Sequence, residues 1–193
     1  MTRTFIALEL NNTLQDHLAG VIRQVARALP SVRWVNPAGI HLTLAFLAEL
    51  TDEQLAAAED ATSAAARQCV CFPYQLSRLG IFGSPKQPRV IWMGISEPSG
   101  TLQHVYQVLN AELLKRSLTV DPRPFAPHFT LARLKAPLPL EEQSQLRNLL
   151  VGNQQGISTS QRFSAEQLVV MKSELLSTGS RYSVLQSFEL KRP

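Results

Sequence analysis

The sequence predicts a fold of mixed helices and strands that is built from two similar halves. The first observation behind this prediction is a repeated order, because strand, helix, turn and strand follow one another twice. The second is spacing: Ile6 and His41 are 35 residues apart, and Ile91 and His128 are 37 apart. The third is that threonine and leucine stand at the second and third positions after both histidines. We therefore expect an internal duplication.

The first half begins with a buried strand, predicted over residues 3–10. A helix follows from the cap signal Asn11-Asn12-Thr13 and should end before Pro30, which cannot continue a helix. Residues 36–39 form a predicted turn, and the next strand carries His41. One face of the predicted helix is apolar and consists of Leu14, Leu18, Val21, Ile22, Val25 and Leu29.

A capping-box pattern marks the start of the next helix, which is rich in alanine. In this pattern Thr51 is followed three residues later by Gln54. Strands are then expected at 72–81 and 89–95. The loop between them, residues 82–88, is polar and contains one glycine and two prolines, so it is the expected lobe boundary or hinge.

The second half repeats the order of the first. We expect one two-lobed domain over residues 1–193, with repeat units of roughly 3–81 and 89–172. A pseudo-twofold axis between the units would place the two equivalent histidines opposite each other in a shared cleft. The elements expected in the second half are a helix through 102–113, a strand at 128–134, a helix at about 140–150 and a strand near 167–172.

The composition is that of a soluble globular protein, with 45% hydrophobic and 18% charged residues among 193. The net charge of +4 favours an anionic partner, and most of the 19 basic residues are arginines, which bind phosphate with two hydrogen bonds at once. This excess is too small for coating of duplex nucleic acid or adhesion to a membrane. The apolar runs are too short for a membrane span, and the start of the sequence has no signal-peptide pattern. We expect a cytoplasmic protein in which Cys69 and Cys71 are reduced.

The two motifs place one imidazole and one hydroxyl together in each half. Because residues i and i+2 of a strand point to the same side, His41 lies with Thr43, and His128 lies with Thr130. Two imidazoles around one cleft can serve as general base and general acid for displacement at phosphorus, and hydroxyls can hold the non-bridging oxygens. With a pKa near 6.5, histidine can take either role at pH 7.

Other hydrolytic mechanisms lack their motifs in this sequence. It has no His-Glu-x-x-His, no His-x-His and no dense carboxylate cluster, so metal catalysis is disfavoured and no cofactor is expected. Gly-x-Ser-x-Gly and a glycine-rich lysine loop are also missing, which excludes a serine triad and a phosphate-binding loop. His17 and His104 are interpreted as ordinary helix residues.

The segments His41–Leu44 and His128–Leu131 resemble the two His-x-Thr-x motifs that define the two-histidine phosphoesterases. Over nearly its whole length the chain is similar to the bacterial and archaeal RNA 2′,3′-cyclic phosphodiesterases of that superfamily, also called 2′-5′ RNA ligases. One motif would be a weak signal, but two copies with their flanking residues are specific. The flanking segments that carry the resemblance are Arg3–Ala7, Arg33–Val35, Pro88–Trp92, Arg123–Phe125 and Lys172–Tyr182.

The resemblance implies a fold class and a reaction. The fold is α+β, with two pseudo-symmetric lobes, each an antiparallel-rich sheet with outer helices, around a central cleft. The reaction is hydrolysis of an RNA terminal 2′,3′-cyclic phosphate to a 2′-phosphate without a metal. In it, His41 donates a proton to the leaving ribose oxygen and His128 accepts one from water. This direction rests on the resemblance alone.

The resemblance also implies substrate contacts. Thr43, Thr130 and Arg133 would bind phosphate oxygens, and Phe46 would stack on a base. Both Phe46 and Arg133 fall five residues after a histidine, which is the opposite face of a regular strand. A bulge or the end of the strand must therefore turn them toward the cleft.

Two other functions fit the same residues. The protein could be an RNA-end or tRNA-binding module with little hydrolysis. It could also join 2′-5′ linked RNA halves reversibly, because the proton transfers run backwards through the same groups. The residues leave open whether the substrate is an RNA end, a tRNA half or a small cyclic nucleotide. We expect a monomer.

Overall fold

The computed structural model describes residues 1–151, 159–176 and 179–192 and contains two four-stranded antiparallel sheets. The strand order is β2-β1-β7-β8 in the first sheet and β5-β4-β3-β6 in the second, which confirms the predicted α+β class. The strands are β1 (Thr2–Leu8), β2 (Leu42–Leu50), β3 (Phe72–Ser84), β4 (Gln87–Ser96), β5 (His128–Arg133), β6 (Arg162–Ala165), β7 (Gln167–Leu176) and β8 (Gly179–Glu189). The helices are α1 (Asn12–Ala26), α2 (Asp52–Ala66), α3 (Thr101–Lys115) and α4 (Leu140–Val151).

The helix starts follow the cap signals in the sequence. At α1 the side chain of Asn11 accepts a hydrogen bond from the amide of Leu14 at 2.9 Å. At α2 the predicted capping box is present, because the side chains of Thr51 and Gln54 each accept from the amide of the other. The apolar face of α1 is buried as predicted, but the helix ends at Ala26, earlier than expected.

Each half of the chain contributes strands to both sheets. β1 pairs with β2 and also with β7 of the second half, while β4 pairs with β5 and also with β3 of the first half. Ile6 and Ile91 are both fully buried in the central strands and face Ala45 and Ala132, respectively, on the neighbouring strands. The residues from which the duplication was inferred therefore occupy equivalent positions. The duplication itself and the boundaries of its repeat units stay a prediction.

A β-bulge occurs at the same place after each histidine. The extra residue is Leu44 in β2 and Leu131 in β5, where the register with the central strand slips by one. Each leucine and the alanine after it are both buried, so the alternation of faces is inverted from that point on. As a result Phe46 and Arg133 return to the face of the histidines, as the sequence required.

The segment before His41 is tied to the second sheet. Trp34 forms an isolated antiparallel bridge to β5, and the amide of Val35 donates to the carbonyl of Leu131 at 2.9 Å. Because β5 is the edge strand of its sheet, these two residues add to its free edge. This link brings His41 close to the strand that begins at His128.

The predicted lobe boundary at residues 82–88 is wrong. These residues form a tight hairpin within the second sheet, with β3 extending to Ser84 and β4 beginning at Gln87. Gly83 has a φ of 98°, a conformation that favours glycine in such turns. A polar stretch with glycine and proline marks a hairpin as well as a linker, and the sequence pattern does not distinguish them.

Strands β6 and β8 were not predicted. β8 lies at the edge of the first sheet, and its residues Val184 and Leu185 are 49% and 36% exposed. With apolar side chains on the exposed side, the strand lacks the clean alternation that marks a half-buried strand.

The ring of Trp92 lies directly over Gly80, its partner on the neighbouring strand. A Cβ atom at Gly80 would stand 2.2 Å from the indole ring, so only glycine allows this approach. The same indole lies 5.5 Å from the ring of Phe82 and 6.2 Å from that of His128, measured between centroids. Gly80 therefore determines the position of the Trp92 indole, which is a neighbour of His128.

We predict that Gly80→Ala destabilises the protein by about 1–3 kcal/mol, because the added methyl group must displace the indole. Denaturant unfolding measures this loss. Gly20→Ala is the control, since its Cβ would meet only Arg23 Nη2 at 3.8 Å and should stabilise α1. Equal stability of the Gly80→Ala variant and the original protein would contradict this packing of the indole on the glycine.

Candidate active site

The two histidines occupy equivalent places at the start of β2 and β5. His128 is the first residue of β5, whereas His41 stands one residue before β2, directly after the 3-10 turn Pro37–Gly39 and Ile40. The prediction that His41 lies on a strand is therefore off by one residue. The turn ends at Gly39, and pairing of the chain with β1 begins only at Leu42.

Both imidazoles are oriented by the same hydrogen bond. Nδ1 of His41 lies 2.9 Å from the carbonyl oxygen of Gly39, and Nδ1 of His128 lies 2.6 Å from that of Ala126. A carbonyl oxygen only accepts, so Nδ1 carries the hydrogen in each ring. Nε2 is then left as the nitrogen that can accept a proton when the ring is neutral or donate one when it is charged.

Aromatic rings surround His41. Its ring centroid lies 4.4 Å from that of Phe5 on β1 and 4.7 Å from that of Tyr182 on β8, and Tyr182 meets it edge-on. Tyr182 also packs against the turn, since a Cβ at Gly39 would stand 3.4 Å from its ring. These contacts hold the imidazole in an apolar setting.

His128 has a corresponding pair of aromatic neighbours. Phe82 on β3 meets it edge-on at 4.8 Å between centroids, and Trp92 on β4 lies at 6.2 Å. Each histidine thus has one aromatic neighbour from the central strand of its sheet and one from another strand. Sequence reasoning assigned no role to these four rings, because they come from distant parts of the chain and no local spacing joins them to the motifs.

Burial lowers the pKa of both histidines. For His41, removal from water lowers the pKa from 6.5 to about 4; the hydrogen bond to Gly39 opposes this, and the charges of Arg133 and His128 add to it. For His128, burial also lowers the pKa, Ala126 opposes the shift, and Arg133 adds to it. Both rings are therefore mainly neutral at pH 7. Arg133 is therefore within electrostatic range of both rings, and His128 is within range of His41.

Each threonine follows its histidine by two residues. Thr43 and Thr130 are half-buried, and the residues on either side of each are buried in the core. Within residues 1–151, 159–176 and 179–192, neither hydroxyl has a hydrogen-bond partner. Both hydroxyls are therefore available to a ligand.

Arg133 and Phe46 occupy the same position relative to the two motifs. Arg133 is exposed and forms no ion pair with any described residue, so its charge is available to an anion. Phe46 is 37% exposed, and the guanidinium of Arg3 lies 5.1 Å from its ring centroid. This is a cation–π contact on an aromatic ring that keeps part of its surface open.

The described part of the chain offers neither a metal cluster nor a membrane-crossing helix. No three histidine, cysteine, aspartate or glutamate side chains there are grouped so that they could hold a metal ion. No helix there is both long and apolar enough to span a membrane. The metal independence of the reaction stays a prediction.

Comparison with known proteins decides the family. A family model for LigT-like phosphoesterases matches residues 8–92, which include the first motif. An RNA 2′,3′-cyclic phosphodiesterase of Thermus thermophilus is 32% identical over 181 residues, which are 90% of this chain and 84% of the relative. This chain belongs to the LigT-like phosphoesterases. The finding confirms the predicted family and class of enzyme.

Further LigT-like relatives match along the whole chain. An RNA 2′,3′-cyclic phosphodiesterase of Methanothermobacter thermautotrophicus is 27% identical, with 97% of this chain and 98% of the relative covered. The crystal structure of a Thermus thermophilus protein matches with a TM-score of 0.77 and 26% identity over 98% of both chains. Escherichia coli LigT in complex with 3′-AMP matches with a TM-score of 0.72 over 99% of both chains, and at 22% identity it shows the shared fold.

We predict that Tyr182→Ala raises the pKa of His41 from about 4 toward 6.5, because water then reaches one side of the imidazole. NMR titration of the ring nitrogens measures this value and also reports whether Nδ1 carries the hydrogen. Tyr182→Phe keeps the ring and should leave the pKa of His41 unchanged. An unchanged pKa in Tyr182→Ala would show that this ring does not shield the histidine.

Proposed function

We propose that this LigT-like phosphoesterase opens the 2′,3′-cyclic phosphate at an RNA end and leaves a 2′-phosphate. The observation that carries the proposal is the pair of imidazoles with matching Nδ1 hydrogen bonds, which leave two Nε2 atoms for proton transfer on rings within electrostatic range of each other. The activity named for the Thermus thermophilus and Methanothermobacter thermautotrophicus relatives, which match along most of the chain, supports the choice of substrate.

The reaction needs one proton transfer on each side of phosphorus. Nε2 of His128 takes a proton from water as the water oxygen bonds to phosphorus, and Nε2 of His41 gives a proton to the 3′ oxygen as the phosphorus–oxygen bond breaks. The product is a 2′-phosphate with a free 3′ hydroxyl. Exchange of protons with solvent then returns both imidazoles to their starting states.

Three side chains are proposed to hold the phosphate. The hydroxyls of Thr43 and Thr130 have no partner among the described residues and stand beside the histidines, so they can donate to non-bridging oxygens. Arg133 is turned to the same face by the bulge and adds a positive charge. These donors would stabilise the charge that develops on the phosphate oxygens.

The direction of proton transfer depends on the bound phosphate. With a pKa of about 4, His41 is protonated in about one molecule in a thousand at pH 7 in the free enzyme. In the free enzyme His41 is therefore a neutral ring and has no proton on Nε2 to donate. The donor role of His41, which the resemblance supports, requires that the negative charge of the substrate raises its pKa.

Phe46 is proposed to stack on the terminal base. Its ring is partly exposed, and Arg3 lies over it, so a base can stack on the remaining surface beside a cation. This arrangement accepts any base, because every base offers a flat face. Reversible 2′-5′ joining would use the same groups in reverse. A monomeric state and a cytoplasmic location stay predictions.

A binding module with little hydrolysis is the alternative, and removal of one histidine separates the two functions. We predict that the protein converts an oligonucleotide with a 2′,3′-cyclic phosphate to the 2′-phosphate in the presence of chelator. His41→Ala and His128→Ala should each slow this roughly 10²- to 10⁴-fold without loss of binding. Chromatography of the product against 2′- and 3′-phosphate standards measures the outcome.

His104→Gln is the matched control, because His104 is exposed on α3 and should not affect the rate. A 3′-phosphate product would contradict the assignment of donor and acceptor. Loss of all turnover with chelator would contradict a reaction without metal. Slow hydrolysis in the original protein, with RNA binding that persists in His41→Ala, would favour the binding module.

The two lowered pKa values also predict the pH dependence. Since both shifts are downward, the profile of kcat/KM should be bell-shaped with both limbs below about pH 6.5. The profile of kcat should have its maximum at a higher pH, because bound phosphate raises the pKa of each ring. Steady-state rates at fixed ionic strength measure both profiles. Coincident maxima would show that the substrate does not shift these groups.

A further inference from the structure

A cavity beside the end of β5 has no part in the chemistry described above. It has a volume of about 410 Å³ and lies between the β3–β4 hairpin and the chain that leaves β5. Its polar lining includes the side chains of Ser84, Gln87, Arg89 and Lys135, all of them exposed. Two cations with polar neighbours make this cavity suitable for an anion.

The two walls of the cavity are each joined through the chain to a residue near the proposed phosphate site. Phe82, which touches the ring of His128, directly precedes Gly83 in the cavity wall. Lys135 comes two residues after Arg133, a reach of at most roughly 7 Å along the chain. Arg133 and Lys135 therefore follow one another along the chain after His128, with a backbone separation of about the spacing of successive phosphates in a nucleic acid strand.

Both cations of the cavity are available. Within the described part of the chain, neither Arg89 nor Lys135 forms an ion pair or a side-chain hydrogen bond. Their positions are set by the backbone, since the amide of Leu134 donates to the carbonyl of Arg89 at 2.9 Å and joins the two walls. The two walls of the cavity are thus joined by a backbone hydrogen bond, and each carries a positive charge that is available to a ligand.

We propose that this cavity binds the backbone phosphate that precedes the terminal nucleotide of the substrate. The proposal rests on the proposed function and makes it more specific, because it assigns the enzyme to RNA ends in preference to single cyclic nucleotides. A positively charged groove that follows the backbone binds without reading the sequence. The preceding nucleotide would lie over the β3–β4 hairpin.

The double variant Arg89→Gln and Lys135→Gln tests the proposal with two substrates. With an oligonucleotide that ends in a 2′,3′-cyclic phosphate, kcat/KM should fall roughly three- to tenfold, mostly through KM. With a 2′,3′-cyclic mononucleotide, kcat/KM should stay unchanged. The dependence of the oligonucleotide KM on salt should also become shallower, since fewer counterions are released.

The matched control is Arg23→Gln and Arg147→Gln, which removes the same charge from the exposed surface of α1 and α4. This control variant should leave kcat/KM unchanged for both substrates. An equal fall for both substrates, an unchanged oligonucleotide rate, or an equal fall in the control variant would overturn the proposal.

Turnover of the mononucleotide by the original protein tests the proposed function separately. If neither substrate were turned over, fluorescence anisotropy with a labelled 2′-phosphate oligonucleotide would still decide about the cavity. Weaker binding by the cavity variant alone supports the proposal, and equal binding by both variants overturns it.

Discussion

The pairing of Trp34 and Val35 with the free edge of β5 is the contact on which the cleft depends. His41 stands six positions after Val35, so this anchor limits the distance of the histidine from β5 to roughly 20 Å of extended chain. The 3-10 turn within that stretch shortens the path further. This anchor is a direct backbone link between the segment before His41 and the strand that begins at His128.

Rigidity of the imidazoles comes from short-range contacts in each half. A carbonyl two residues before the histidine sets the tautomer, and aromatic rings limit the movement of the ring. The same rings remove water, which lowers both pKa values. Positioning and electrostatics are thus linked: a ring that fixes the geometry also keeps the base neutral, and a bound anion is then needed to bring a proton into the cleft.

The sequence predicted what depends on local pattern. Periodicity and cap signals located α1 and α2, and strand alternation paired each histidine with its threonine. Phe46 and Arg133 each follow a histidine by five residues, an odd number, so a regular strand would turn them to the opposite face. A bulge was therefore required before each of them, and the structure has one in each strand. Contacts between distant segments were beyond this reasoning. The approach of Tyr182 to His41 depends on the pairing of β7 with β8, and no spacing in the sequence encodes it.

The two motifs stand in similar strands, and one unequal position would give the proposed cleft a direction. Phe46 and Arg133 follow the same bulge at the same distance from their histidines, yet one is an aromatic ring and the other a cation. In the proposed function a base stacks on the first, and a phosphate pairs with the second. The free cations continue on the side of Arg133, toward Lys135, and not on the side of Phe46, where Arg3 is already in contact with the ring. A substrate with a base at one end and a charged backbone at the other matches this polarity.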